Sequence, residues 1–189
     1  RASKYPTLNP ALAVDITYIK YDLRSEPLSS IQTSAHQSTA PQPAITKGKW
    51  KPGTFGTSAY ASEVRVVSKA FPWTLDVRGR PGEVLTVGTV WDALHALLQE
   101  PVVDSEWGAL LVYEKGKREA VIKAAKERVE REKKQGKPDA GAVALKRIDF
   151  LGEHTLFRGL ERDEGFEDTR LLPGTKASAE TWVAKMGKV

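Results

Sequence analysis

The chain has 189 residues, 29 Lys+Arg against 24 Asp+Glu for a formal net charge of +5, and 40% hydrophobic residues, with one methionine and no cysteine. That length suits one ordinary domain, or one domain plus a flexible segment, and is ample for a hydrophobic core. Without cysteine there is no disulfide scaffold, no thiolate catalysis and no sulfur-ligated zinc, and without a run of about 18 apolar residues no helix spans a bilayer. The chain opens at Arg1 rather than at a methionine, which leaves room for a preceding segment that was cleaved or omitted.

In chain order, residues 5–12 read as an irregular lead-in that pins Leu8 and Leu12 to something apolar. Residues 16–23 alternate Thr17, Ile19, Tyr21 and Leu23 with Tyr18, Lys20 and Asp22, the period of a half-buried strand. Residues 25–60 change character. Serine, threonine and proline dominate, and Glu26 is the single acid. Such a composition buries too little surface to offset its ordering entropy, so a loop or disordered insertion is predicted. Within it, Trp50 and Phe55 stand among Lys49, Lys51 and glycines. Aromatics between lysines suit a docking or nucleic-acid contact, and equally a staple of the loop onto the core, the reading preferred here.

From Glu63 the pattern becomes regular. Val64, Val66 and Val67 mark one strand, and Trp73, Leu75 and Val77 another. Gly79-Arg80-Pro81-Gly82 predicts a turn, with residues 83–86 as the returning strand of a hairpin. Thr86 is a suitable N-cap for a helix carrying Val87, Val90, Leu94, Leu97 and Leu98 on one face and stopped by Pro101. His95 flanks that face, where a hydrogen-bonded structural histidine is the expectation and a catalytic base the alternative. Residues 102–113 suit either a buried strand or a second helical piece. Residues 114–137 are strong helix formers with Ala120, Val121, Ala124, Ala125 and Val129 as a thin apolar stripe, ended by Gly136 and Pro138. Residues 145–152 and 154–160 read as a strand pair, the acidic segment 161–168 as loop, 171–174 as a turn and 181–186 as a last strand. The chain therefore divides into a lead-in and first strand (1–24), the Ser/Thr/Pro-rich insertion (25–60) and a main part (61–189), within one domain.

Specific chemistry is sparse. His36, His95 and His154 are scattered, and the acids Glu161, Asp163, Glu164, Glu167 and Asp168 lack the spacing of a calcium loop, so no metal site is expected. Gly174-Thr175-Lys176 resembles the end of a phosphate-binding loop, but Thr169 stands where that motif needs its first glycine. No nucleophile elbow occurs and no cofactor is implied. The charged helix is the main candidate for a polyanion contact. It holds ten cations (Lys115, Lys117, Arg118, Lys123, Lys126, Arg128, Arg131, Lys133, Lys134, Lys137) against five acids (Glu114, Glu119, Glu127, Glu130, Glu132), leaving 19 of each sign elsewhere. The basic surplus thus belongs to one element. Interleaved signs favour a merely solvated helix, because a polyanion site excludes acids from its contact face.

Several short motifs follow one another in a familiar order: Leu8-Asn9-Pro10-Ala11-Leu12, Tyr21-Asp22-Leu23-Arg24, Ala61-Ser62-Glu63, Pro72-Trp73-Thr74-Leu75-Asp76-Val77, Leu85-Thr86-Val87 leading into Trp91-Asp92-Ala93-Leu94, Arg147-Ile148-Asp149-Phe150-Leu151-Gly152, and Phe157-Arg158-Gly159-Leu160. In these the chain resembles a domain-of-unknown-function family abundant in mushroom-forming (basidiomycete) fungi, although a proline of the family's third motif is missing. The resemblance implies a compact α+β domain in an intracellular, cytoplasmic setting, with no catalytic residues to carry over. Arg147, Asp149 and Arg158 are the polar positions of the two closing motifs and suit either a structural ion pair, preferred here, or a ligand groove. The expectation is an α+β fold: a mostly antiparallel sheet with one packed amphipathic helix and one charged outer helix. Its leading function is a noncatalytic protein-interaction or scaffold module with a protein partner. A nucleic-acid-associated protein is the alternative, and an enzyme of unrecognised type the third reading.

Overall fold

The computed structural model describes residues 3–16, 19–48, 60–111, 116–136, 144–171 and 180–189. Along the chain run β1 (Tyr21–Asp22), α1 (Pro27–Ser30), α2 (Thr33–Thr39), β2 (Glu63–Ser68), β3 (Leu75–Arg78), α3 (Val87–Gln99), α4 (Asp104–Leu111), α5 (Lys117–Lys134), a 3-10 turn (Arg147–Leu151), β4 (Leu156–Glu161), α6 (Glu164–Thr169) and β5 (Thr181–Gly187). The five strands form one sheet in the order β1-β4-β5-β2-β3. Every neighbouring pair is antiparallel except β2 and β5, so the fold is α+β with a mixed, mostly antiparallel sheet.

Alternating β-branched residues build β2 and β3, with Val64 opposite Val77 and Val66 opposite Leu75. Val66 also registers against Trp182 of β5. Against this sheet α3 buries Val87, Val90, Trp91, Leu94, Leu97 and Leu98, the apolar face its spacing predicts. The Thr86 hydroxyl accepts from the Thr89 amide at 3.2 Å and so caps the helix, which ends at Glu100 in extended backbone before Pro101. Trp91, Trp182, Tyr21 and Phe157 are the largest fully buried side chains of the core, joined by Leu8 and Leu12 from the lead-in.

That lead-in is sewn to the sheet by backbone rather than by a strand of its own. Leu160 donates to the Leu12 carbonyl at 2.6 Å, and Val14 donates back to the Leu160 carbonyl at 3.1 Å. Gly159 makes this approach feasible: it sits at φ +117°, and a Cβ there would lie 2.7 Å from the Val14 backbone. The glycine of the Phe157-Arg158-Gly159-Leu160 motif is therefore a close-approach position at the bulge of β4 against β5.

Several expectations change in three dimensions. The strand predicted over 16–23 is only Tyr21–Asp22 among the described residues. Within 25–60, read as loop or disordered insertion, residues 27–39 form α1 and α2, and Ile31, Ala44 and Ile45 join the core. The partner of β3 is β2 and not residues 83–86, where Leu85 instead takes the Ala44 amide on its carbonyl at 2.8 Å. Residues 147–151 form a 3-10 turn rather than a strand, because the Asp149 carboxylate folds back to accept from the Lys146 amide at 2.8 Å. β4 pairs with β1 and β5 instead. The acidic stretch holds α6, capped by Asp163 accepting from the Phe166 amide at 3.1 Å. Residues 104–111 take the helical of the two predicted alternatives. Among the described residues no helix is long and apolar enough to cross a membrane.

Candidate functional site

Of the three polar motif positions, none pairs with another. Asp149 is buried and holds Arg128 of α5, accepting from its Nε at 2.8 Å and Nη2 at 3.0 Å. Arg128 also donates to Glu132 at 3.2 Å and to the Ala144 carbonyl at 2.6 Å, so its guanidinium is spent inside the protein. This corrects the polyanion strip, of which Arg128 is not an outward member. Burial alone would lower the Arg128 pKa, but Asp149 and then Glu132 outweigh it and hold the group above its ordinary value. Arg147 turns the other way, bridging Glu100 and, at 2.6 Å, Glu106, with its guanidinium 5.0 Å from the Trp73 ring centroid. It fastens α4 and the end of α3 to the 3-10 turn. Arg158 is exposed and lies across Gly187, where any Cβ would collide with it.

On α5, Arg118 lies 5.5 Å from the Trp107 ring and Lys123 pairs with Glu127 at 3.8 Å. Lys126, Lys133 and Lys134 are exposed beside Glu119 and Glu130, while Lys117 and Arg131 are half-buried. Lys115, Lys137, Trp50 and Phe55 lie outside the described residues. A polar cleft of about 160 Å³ beside α5 is lined by Asp22, Arg24, Arg128, Arg131 and Glu132 among others. Most of its charges are already matched, Arg24 to Asp22 at 2.9 Å and Arg128 to Asp149. Among the described residues no group of three or more metal-ligating side chains converges.

A second concavity has a different character. It is an open groove of about 400 Å³ lined by Glu26, Pro27, Leu28, His36, Ala40, Gly88, Asp92 and His95. Its walls come from α1, α2 and the first three turns of α3. Pro27 at the first helical position starts α1, since its missing amide would have had no partner there. The Ser30 hydroxyl accepts from the Asp22 amide at 2.8 Å and ties α1 to β1. The far end is held by α3 itself: the Val87 and Gly88 amides, orphans of the first turn, donate to the Gln42 and Ala40 carbonyls at 2.9 Å each. Gly88 permits this contact, for a Cβ there would stand 3.1 Å from Ala40.

The side chains facing the groove are of three kinds. Leu28 is 59% exposed, one of three large aliphatics so exposed among the described residues. Two imidazoles flank it. The His36 ring lies 6.0 Å from that of Trp91, and His95 Nδ1 is 3.1 Å from the Leu23 carbonyl. A carbonyl only accepts, so Nδ1 carries the proton in this contact. His95 is half-buried and hydrogen-bonded, in keeping with the structural expectation. Last come two exposed carboxylates, Glu26 on one wall and Asp92 on the other, neither with a cationic partner among the described residues. Burial, and after it the charges of Asp92, Asp22 and Glu26, push the Tyr21 hydroxyl far above the ordinary phenol range.

Sequence reasoning singled out only His95 from this groove. The signal for the rest was present in Glu26-Pro27: an acid followed by proline, in a stretch with no other acid, is a helix-start pattern. No curated protein and no solved structure matches the chain. Residues 19–168, which run from just before β1 into α6, match a family of unknown function (DUF6699), and the chain belongs to that family.

Proposed function

We propose that the protein is a noncatalytic interaction module that docks a segment of another protein in the groove between α1, α2 and α3. The observation that carries this reading is the groove itself, an open concavity of about 400 Å³ walled by three helices. At its rim Leu28 is presented to solvent by a helix anchored on both sides. With 59% of its surface still exposed, Leu28 gains roughly 1–2 kcal/mol on complete burial against a partner. A noncatalytic role is further supported by the engagement of the polar groups that sequence reasoning raised: Asp149 on Arg128, Arg147 on Glu100 and Glu106, His95 on a backbone carbonyl. The intracellular, fungal setting of this reading rests on the motif resemblance alone.

The test compares pull-downs from native extract with the wild-type chain and with Leu28→Asp. A protein retained by the first and lost by the second supports docking on this groove; equal retention overturns it. A second reading, a polyanion contact along α5, is supported by the exposed Arg118, Lys123, Lys126, Lys133 and Lys134. It requires binding of a fluorescent oligonucleotide that weakens steeply with salt. No binding at low salt removes it.

A further inference from the structure

We propose that the groove's occupant is a basic, apolar segment: a lysine or arginine seated between Glu26 and Asp92, with a neighbouring aliphatic side chain against Leu28. The inference rests on the docking function above and adds the chemistry of the partner. In a chain of net charge +5, this groove has two carboxylates and no lysine or arginine in its lining among the described residues. Both carboxylates line this one concavity. In the polar cleft beside α5 the acids already hold their cations, as Asp22 holds Arg24 and Glu132 holds Arg128. Among the described residues Glu26 and Asp92 hold none.

The remaining lining suits the stem of such a side chain. Pro27, Ala40 and Gly88 offer an apolar lining for methylene groups, with Leu28 at the rim. A cation carried on an aliphatic stem is thereby distinguished from an acidic segment, which two uncompensated carboxylates repel, and from a purely apolar one, which leaves them unpaired.

The test uses the full chain and three labelled pentapeptides read by fluorescence anisotropy: Leu-Arg-Leu-Arg-Leu, Leu-Gln-Leu-Gln-Leu and Leu-Glu-Leu-Glu-Leu. The arginine peptide is expected to bind at least tenfold more tightly than the glutamine peptide, and the glutamate peptide more weakly still. The double variant Glu26→Gln/Asp92→Asn should lose that tenfold preference. Neither residue is needed for folding: the Glu26 side chain makes no cap hydrogen bond, and Asp92 is exposed on α3. Circular dichroism of the variant checks this. Removing two carboxylates elsewhere, by Glu119→Gln/Glu130→Gln on α5, should leave binding unchanged. If the arginine and glutamine peptides bind equally and Leu28→Ser weakens both, the charge inference is wrong while docking on the groove stands. If no peptide binds, or binding ignores Leu28, Glu26 and Asp92 alike, both readings are overturned.

Discussion

Replacing Asp149 by alanine removes the acceptor of three hydrogen bonds, from Arg128 Nε at 2.8 Å, Arg128 Nη2 at 3.0 Å and the Lys146 amide at 2.8 Å. The Asp149 side chain is 2% exposed and that of Arg128 9%, so water cannot take over. Breaking one side of a buried pair costs about 3–5 kcal/mol, since the other charge stays desolvated. Glu132 and the Ala144 carbonyl still hold Arg128, which places the expectation near the lower end, about 3–4 kcal/mol. For a chain of this size that lowers Tm by roughly 10 °C. Urea unfolding followed by tryptophan fluorescence measures it well, because Trp73 and Trp107 pack on the adjacent Phe150, with ring centroids 5.0 and 6.4 Å away. The double variant Arg128→Met/Asp149→Leu should recover at least half of the loss, as the one charge it deprives of Arg128, Glu132, reaches solvent and no fully buried charge is left unpaired. A cost below about 1 kcal/mol for Asp149→Ala, or a double variant worse than the single, would show that this pair does not hold α5 to the 3-10 turn.

Gly159→Ala combines a positive φ with a Cβ 2.7 Å from the Val14 backbone, so a loss of about 2–4 kcal/mol is expected, with the lead-in detaching first. Early hydrogen exchange at the Val14 and Leu160 amides checks it. Thr86→Ala removes the cap of α3 and should cost about 1 kcal/mol, a Tm drop of about 2–4 °C by calorimetry. The fourth prediction concerns acid. Burial would raise the Asp22 pKa, but hydrogen bonds from Arg24 outweigh it and hold it below its ordinary value, and Arg65 does the same for Asp76. Depressed folded pKa values mean stability fully present above about pH 4 and lost as pH falls through the folded values. Tm should therefore be level from neutral pH to about 5 and fall below 4, less steeply in Arg24→Gln.

What was legible in the sequence follows from where each element draws its stability. α3 is long enough for its apolar face, its cap and its stop to appear together, and β2 and β5 carry dense apolar runs. β4 was legible as a strand but not in its pairing, because its neighbour β1 lies far away in the chain, Tyr21 against Phe157. The 3-10 turn defeated pattern reading for a definite reason. Ile148 and Phe150 alternate with Arg147 and Asp149 as in a strand, yet Ile148, Asp149, Phe150 and Leu151 are all buried. Only a charge partner distant in sequence, Arg128, makes a buried aspartate tolerable there.

The groove was hidden for a related reason. α1 and α2 have four and seven residues, too few for an amphipathic period to register, and α2 buries none of its own side chains. Their order comes from outside: Ile31 and Ile45 enter the common core, and the Ala40 and Gln42 carbonyls take the first two amides of α3. A Ser/Thr/Pro-rich stretch thus does what a capping residue does, for a helix nearly fifty positions away. The exchange runs both ways, because the same two bonds that complete α3 fix the wall carrying His36 and Ala40 opposite Asp92 and His95. The groove is then not an ornament on a loop but the outer side of a helix cap, and its geometry is as firm as the first turn of α3.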